Sequence, residues 1–264
     1  MNNKESQATH EQRILGCVKS FVDKEDLDYF YGFSQSDIDC IQSIFSALKQ
    51  NEKTTFPDFY GPMHCVELFR VSSSEENRKG SIQMRQDAEL QSTICREDKQ
   101  AAQSNNQGIR HYIRTRPTHS YTALIENLQH QFTKHLKSKN QTDQEYDTTI
   151  FVIELPEADL ECMLCPAENV NIEGLRIGDL QPKYTGKELS GLYRLSRDKS
   201  ILEWMGQFSS EVDFVFFVTP YVIEAINLHH ISEIAAFLPW CLNICRKPSF
   251  TVASSTPAEL RKTE

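Results

Sequence analysis

Two carboxylates stand inside strand-like apolar runs: Asp58 in Phe56-Pro57-Asp58-Phe59-Tyr60, and Glu67 in Cys65-Val66-Glu67-Leu68-Phe69-Arg70-Val71. Gly61-Pro62 turns the chain between them, and the second run is rich in β-formers, so the stretch reads as a hairpin. Two antiparallel strands joined by a turn can bring acids at this separation side by side near one end of a sheet. Close carboxylates repel unless a proton or a cation sits between them. The chemistry that wants such a pair is divalent-metal binding, because Mg²⁺ takes hard oxygen ligands, usually one or two carboxylates with waters and a phosphate oxygen. The polar segment that follows, Ser72 to Ser81, carries Arg78-Lys79. A lysine there can position an attacking water or neutralise charge developing on a phosphate. The plainer reading of the same residues is Pro-Asp as turn chemistry and a strand Glu on a solvated face.

The order Pro57-Asp58, then Glu67 inside the following apolar strand, then a lysine resembles the PD-(D/E)XK restriction-endonuclease-like superfamily in its divergent branches. The resemblance covers about the first 155 residues. It implies that Asp58 and Glu67 bind Mg²⁺ or Mn²⁺ and that a lysine two residues after the glutamate assists the water. Phe69 stands at that lysine position, so either the role has moved to Lys79 or the site is catalytically dead. The family's helix glutamate falls on Glu11, and the basic helix beside the metal site falls on Lys134 and Lys137. A role in restriction or in defence against foreign DNA is what the resemblance implies.

The elements that must position these residues follow from periodicity. Ile14, Leu15, Val18, Phe21 and Val22 give an amphipathic helix with Glu11 near its start. Leu27 to Phe33 reads as a loop or short helix. Ser36 is expected to cap a second helix with the stripe Ile38, Ile41, Ile44, Phe45 and Leu48. The segment from Glu75 to Asn106 is polar and reads as a solvated helix or excursion. Tyr121, Leu124, Ile125, Leu128, Phe132 and Leu136 predict a long helix over Ser120 to Lys139 with a basic tail. Thr148 to Leu155 is nearly all apolar, as a strand buried on both faces should be. This order matches an αβββαβ core if one more strand pairs with the hairpin. Ile201 to Phe208 reads as a short helix or strand, Glu211 to Pro220 as a second buried strand, and Tyr221 to Leu228 as helical. His229 and His230 are expected at the surface or at a helix end, and Ile231 to Cys245 is expected to pack on the sheet. The expected fold is one α/β domain over residues 1–264, a mixed central sheet flanked by helices with a restriction-endonuclease-like core. The nuclease-like core is expected over roughly residues 10–155, with 156–264 an extension of it.

A chain of 264 residues with 39% hydrophobic and 25% charged residues is long enough to bury a sizeable core. It has no apolar run near the length of a membrane span, and Met1 to Arg13 lacks the apolar stretch of a secretory signal, so a cytoplasmic protein is expected. The eight cysteines lie mostly inside apolar segments and read as buried thiols rather than disulfides. Cys162-Met-Leu-Cys165 is a lone CxxC, and Cys241 with Cys245 lacks the paired-knuckle spacing of a zinc site. The net charge of −9 argues against nucleic acid coating the whole surface but leaves room for a local basic groove. Candidates are Arg70, Arg78, Lys79 and Arg85, then Arg110 to Arg116, then Lys134 to Lys139.

Two functions of different class follow. One is a Mg²⁺-dependent endonuclease acting on a nucleic-acid partner, DNA ahead of RNA, with Asp58, Glu67 and Lys79 catalytic, Glu11, Arg78, Lys134 and Lys137 accessory, and a homodimer left open. The other is an inactive nuclease-fold protein that binds nucleic acid or protein. A Ser or Cys hydrolase is third, since no Gly-x-Ser-x-Gly elbow occurs and His64 and Cys65 are neighbours that a strand sends to opposite faces.

Overall fold

The computed structural model describes residues 7–24, 27–52, 55–74, 89–90, 92–97, 99–100, 110–115, 119–156, 160–163, 190–236, 238, 243–246 and 250–255. Its centre is a strand that the sequence makes apolar on both faces. β6 (Thr148–Glu154) is buried along almost its whole length and lies between β4 (His64–Arg70) and β9 (Phe214–Val218), parallel to both. On the far side of β4 the chain meanders antiparallel through β3 (Phe59–Tyr60) and β2 (Lys49–Gln50). On the far side of β9 come antiparallel β10 (Ile223–Asn227) and then β1 (Phe30–Tyr31), parallel to β10. The result is a seven-stranded mixed sheet in the order β1-β10-β9-β6-β4-β3-β2.

Alternate side chains of the central strands feed two apolar layers, as a pleated strand buried on both faces requires. Val66, Leu68, Ile150, Val152 and Phe216 pack under α1 (Gln7–Asp23) and α2 (Gln35–Ala47), which contribute Ile14, Val18, Ile38 and Ile41. Phe69, Phe151, Ile153 and Phe217 pack under α3 (Tyr121–Asn140) and α4 (Lys199–Gly206), which contribute Leu124, Leu128, Phe132 and Met205. Each such fully buried side chain stabilises the fold by about 1.5–3 kcal/mol before conformational entropy is set against it. The α/β class, with helices on both faces of a mixed sheet, is the one expected from the sequence, and β2 is the additional strand beside the hairpin.

Local chemistry fixes the ends of these elements. Ser120 caps α3 by accepting from the Ala123 amide at 3.2 Å, while Lys137 and Lys139 sit where a helix C-terminus favours cations. α2 is capped by Ser34 rather than Ser36: Ser34 Oγ accepts from Asp37 N, and the Asp37 carboxylate accepts from Ser34 N at 2.8 Å. The reciprocal pair satisfies two amides that a cap at Ser36 would leave without partners. Gly32, at φ 76°, turns the chain between β1 and α2, where a Cβ would stand 2.9 Å from that of His230.

Tyr221 to Leu228, expected to be helical, is instead the turn into β10 and the strand itself. Thr219 Oγ1 accepts from the Tyr221 and Val222 amides and reverses the chain. β10 then finds main-chain partners on both sides, in β9 and β1. A strand buried on both faces carries no alternation to betray it. His229 pairs with Asp213 at 2.8 Å just beyond the strand. α5 (Ile231–Ala235) follows.

Two smaller sheets complete the described structure. β7 (Leu160–Met163) runs between β8 (Ser190–Leu192) and β11 (Asn243–Arg246), and β5 (Arg110–Thr115) pairs with β12 (Phe250–Ser255). Cys165 and Cys241 lie outside the described residues, as does most of the polar segment from Glu75 to Asn106. Among the described residues no helix is long and apolar enough to cross a membrane.

Candidate functional site

The register that sets Phe59 opposite Val66 and Tyr60 opposite Cys65, carried one step on, sets Asp58 opposite Glu67. Each acid is then tied to the other's strand. The Asp58 amide donates to Glu67 Oε2 at 3.1 Å, and the Leu68 amide donates to Asp58 Oδ2 at 2.8 Å. Burial, and after it the charge of Glu67, pushes the Asp58 carboxyl up to about 7, with a smaller push from Glu11 and an opposing pull from the Leu68 amide. A strand glutamate on a solvated face is not what the structure contains, because Glu67 is 6% exposed.

Glu67 has a second partner, His135 of α3, whose Nδ1 donates to Oε1 at 2.5 Å. The imidazole lies flat on the ring of Phe69, centroids 4.5 Å apart. Phe69 thus occupies the position of the resembled motif's lysine and holds up a different nitrogen base beside the same glutamate. Glu11 is buried on α1, where Gln7 Nε2 donates to its Oε1 at 2.8 Å and Gln50 Nε2 to its Oε2 at 3.5 Å. Gln50 belongs to β2, so the meander brings Glu11 to the same end of the sheet as Asp58.

Lys134 and Lys137 are exposed on α3, and His135 between them is the residue that reaches the pair. Arg78 and Lys79 lie outside the described residues. His135 was not legible as a site residue. Its one signal is its place beside Leu136 and three residues after Phe132, at the margin of the buried stripe. Glu154, the single acid at the end of an otherwise apolar strand, was overlooked as well. It is buried, accepts from Arg70 Nε at 2.5 Å, and accepts from His10 Nε2 at 2.8 Å. Arg13 contacts His10 Nδ1 at 2.9 Å, and Arg70 Nη2 stands within hydrogen-bond distance of both ring nitrogens.

The pair offers hard oxygen donors of the kind Mg²⁺ takes. Among the described residues no three His, Cys, Asp or Glu side chains are grouped so as to hold a metal ion by themselves. A cation here would take two protein carboxylates, with water and phosphate completing its shell, which is the usual habit of Mg²⁺. No family model, no curated protein and no solved structure matches the chain.

Proposed function

We propose that this chain is a metal-dependent nuclease that hydrolyses phosphodiester bonds, in DNA ahead of RNA, at the Asp58–Glu67 pair. The observation that carries the reading is the opposition of these two acids across the end of a hairpin, each hydrogen-bonded to the other's strand. In the order α1, β1, α2, β2, β3, β4, β5, α3, β6, the meander β2-β3-β4 followed by α3 and by β6 parallel to β4 supports an αβββαβ core like that of the resembled superfamily, with β1, α2 and β5 as additions.

Asp58 and Glu67 are the residues that would hold Mg²⁺ or Mn²⁺, which when bound polarises a phosphoryl oxygen and lowers the pKa of a water. The chain's own groups do the positioning. The Leu68 and Asp58 amides fix one oxygen of each carboxylate, and His135 fixes the other oxygen of Glu67. Glu11 adds negative charge from α1, and Lys79 is the cation proposed to meet charge developing on the phosphate.

The test is calorimetry with Mg²⁺ and Mn²⁺ on the wild type, Asp58→Asn and Glu67→Gln, beside cleavage of plasmid and labelled oligonucleotides. Metal binding and metal-dependent cleavage in the wild type, both lost in each variant, are expected. A wild type that binds neither ion and cuts nothing overturns the reading. Phe69 in the lysine position favours a second reading, a nuclease fold kept as a binding module. Metal binding without cleavage of any strand would decide for it.

A further inference from the structure

α1 presents two unlike faces. Ile14, Val18 and Val22 go to the core, whereas Arg13, Cys17 and Ser20, with Lys24 in the turn just past the helix, form an exposed stripe at steps of four, three and four. This stripe, Tyr29, and the β9–β10 turn with Tyr221 enclose a groove of about 580 Å³. That volume falls in the range of ligand-sized sites, roughly 300–1,000 Å³. None of the described residues lining it carries a carboxylate, in a chain of net charge −9. Tyr221 is 73% exposed, an unusual exposure for an aromatic ring, at the rim of a groove whose charged lining residues are Arg13 and Lys24; exposed Asp23 and Asp28 flank Lys24 in sequence without lining it. Arg13 closes one end, hydrogen-bonded to His10, which links it to Arg70 on the strand of Glu67.

We propose that this groove binds a single-stranded segment of nucleic acid, with Arg13 and Lys24 on phosphates and a base stacked on Tyr221. Cations tracking a backbone beside an exposed aromatic face are the ordinary means of holding a single strand without sequence preference. Along the helix the two cations are separated by about 16 Å at 1.5 Å per residue. That is about four to five phosphates of a stacked strand at 3.4 Å each. The proposal supplies the nuclease reading with a substrate class, a strand rather than a closed duplex, and rests on that reading only for its purpose. Binding in the groove needs neither Asp58 nor a metal.

The experiment is fluorescence anisotropy with a labelled 12-nucleotide thymidine strand, in EDTA, on the wild type, Arg13→Glu/Lys24→Glu and Tyr221→Ala. The double variant is expected to lose at least about tenfold in affinity, and its log–log salt slope should fall by about 1.4, at 0.7 per phosphate contact. Tyr221→Ala should lose about tenfold with the slope unchanged. A wild type that binds the strand yet cuts no nucleic acid once Mg²⁺ or Mn²⁺ is restored sinks the nuclease reading and leaves this one standing. In the wild type the strand should also slow alkylation of Cys17 by iodoacetamide, a readout that needs no variant. Unaltered binding in the double variant, or unprotected Cys17, overturns the proposal. So does equal competition by a blunt duplex, an acidic peptide or anionic vesicles together with a silent Tyr221→Ala, because the groove would then be a general anion surface.

Discussion

The ring of Phe69 lies against the imidazole of His135, with planes 9° from parallel, and this stacking holds Nδ1 on Glu67. An aromatic is tolerated at this position because Phe69 is also core, edge-on to Phe151 of the neighbouring strand. A lysine here would have to leave that layer. Phe69→Ala should therefore cost about 3–5 kcal/mol. In a double-mutant cycle, Phe69 and His135 should couple by about 0.5–1.5 kcal/mol beyond the single losses. Urea unfolding of the four species measures both, and zero coupling would refute the stacking.

Asp58 makes stability depend on pH in an unusual direction. Its folded carboxyl, at about 7, lies above the ordinary 3.8, so between these values the folded chain holds a proton that the unfolded chain has released. The stabilisation from that proton is complete below about pH 4 and is lost as pH rises through about 7. Asp58→Asn, which cannot ionise, should lose less stability than the wild type across this window, by about 1–3 kcal/mol at 1.36 kcal/mol per pKa unit. Thermal unfolding at pH 5 and pH 8 checks it. A wild type whose loss between the two matches that of the variant contradicts the assignment. Because a divalent cation favours the ionised pair, 5 mM Mg²⁺ should raise the midpoint at pH 8 more than at pH 5.

Thiol chemistry separates the cysteines. Cys65 is fully buried, contacts Thr149 Oγ1 at 3.6 Å, and has its thiol pushed up to about 11, chiefly by burial. Cys17, Cys40 and Cys95 are exposed. Under native conditions iodoacetamide should label Cys17 and Cys95 within minutes, Cys40 more slowly because burial and then the charge of Asp37 push its thiol up, and leave Cys65 unmodified until the chain unfolds. Peptide mass mapping reads this residue by residue, and early labelling of Cys65 would show that the β4 layer opens.

The parts of the fold that were legible share one property: their side chains face a single kind of surface over several turns or strand steps. α1, α2 and α3 announced themselves through Ile14, Ile41 and Leu128 at helical spacing, and the central strands through unbroken apolar runs such as Ile150 to Ile153. β10 was illegible because burial on both sides erased its alternation. Ser34 was missed for Ser36 because a capping box is a pair, and only Asp37 three residues on distinguishes the two serines. Within the site, Asp58 and Glu67 were readable because a hairpin's register is local arithmetic. His135 reaches the pair from an element remote in sequence, and nothing short-range fixes where α3 will lie against the hairpin.

The most buried acid in the described chain is nowhere near that hairpin. Glu224 of β10 has no exposed surface and accepts from Arg194 Nε at 2.8 Å and from the Leu195 amide at 2.8 Å, while Ser196 Oγ also donates to it. Arg194 in turn donates to the hydroxyl of Tyr31 and lies 4.9 Å over the ring of Tyr29. Burial, and next the charge of Glu224, pushes the Tyr31 hydroxyl well above its usual range. One carboxylate thereby fastens the chain entering α4 to the edge strand β1. Glu224→Gln keeps the shape but leaves the Arg194 guanidinium buried without its counter-charge, an arrangement that costs about 3–5 kcal/mol. Replacing both, as Glu224→Met with Arg194→Met, removes charge and counter-charge together and should recover much of that loss. Guanidinium unfolding of the two variants distinguishes the outcomes: a double variant no more stable than Glu224→Gln would mean that the hydrogen bonds to Leu195 and Ser196, rather than the ion pair, hold this corner.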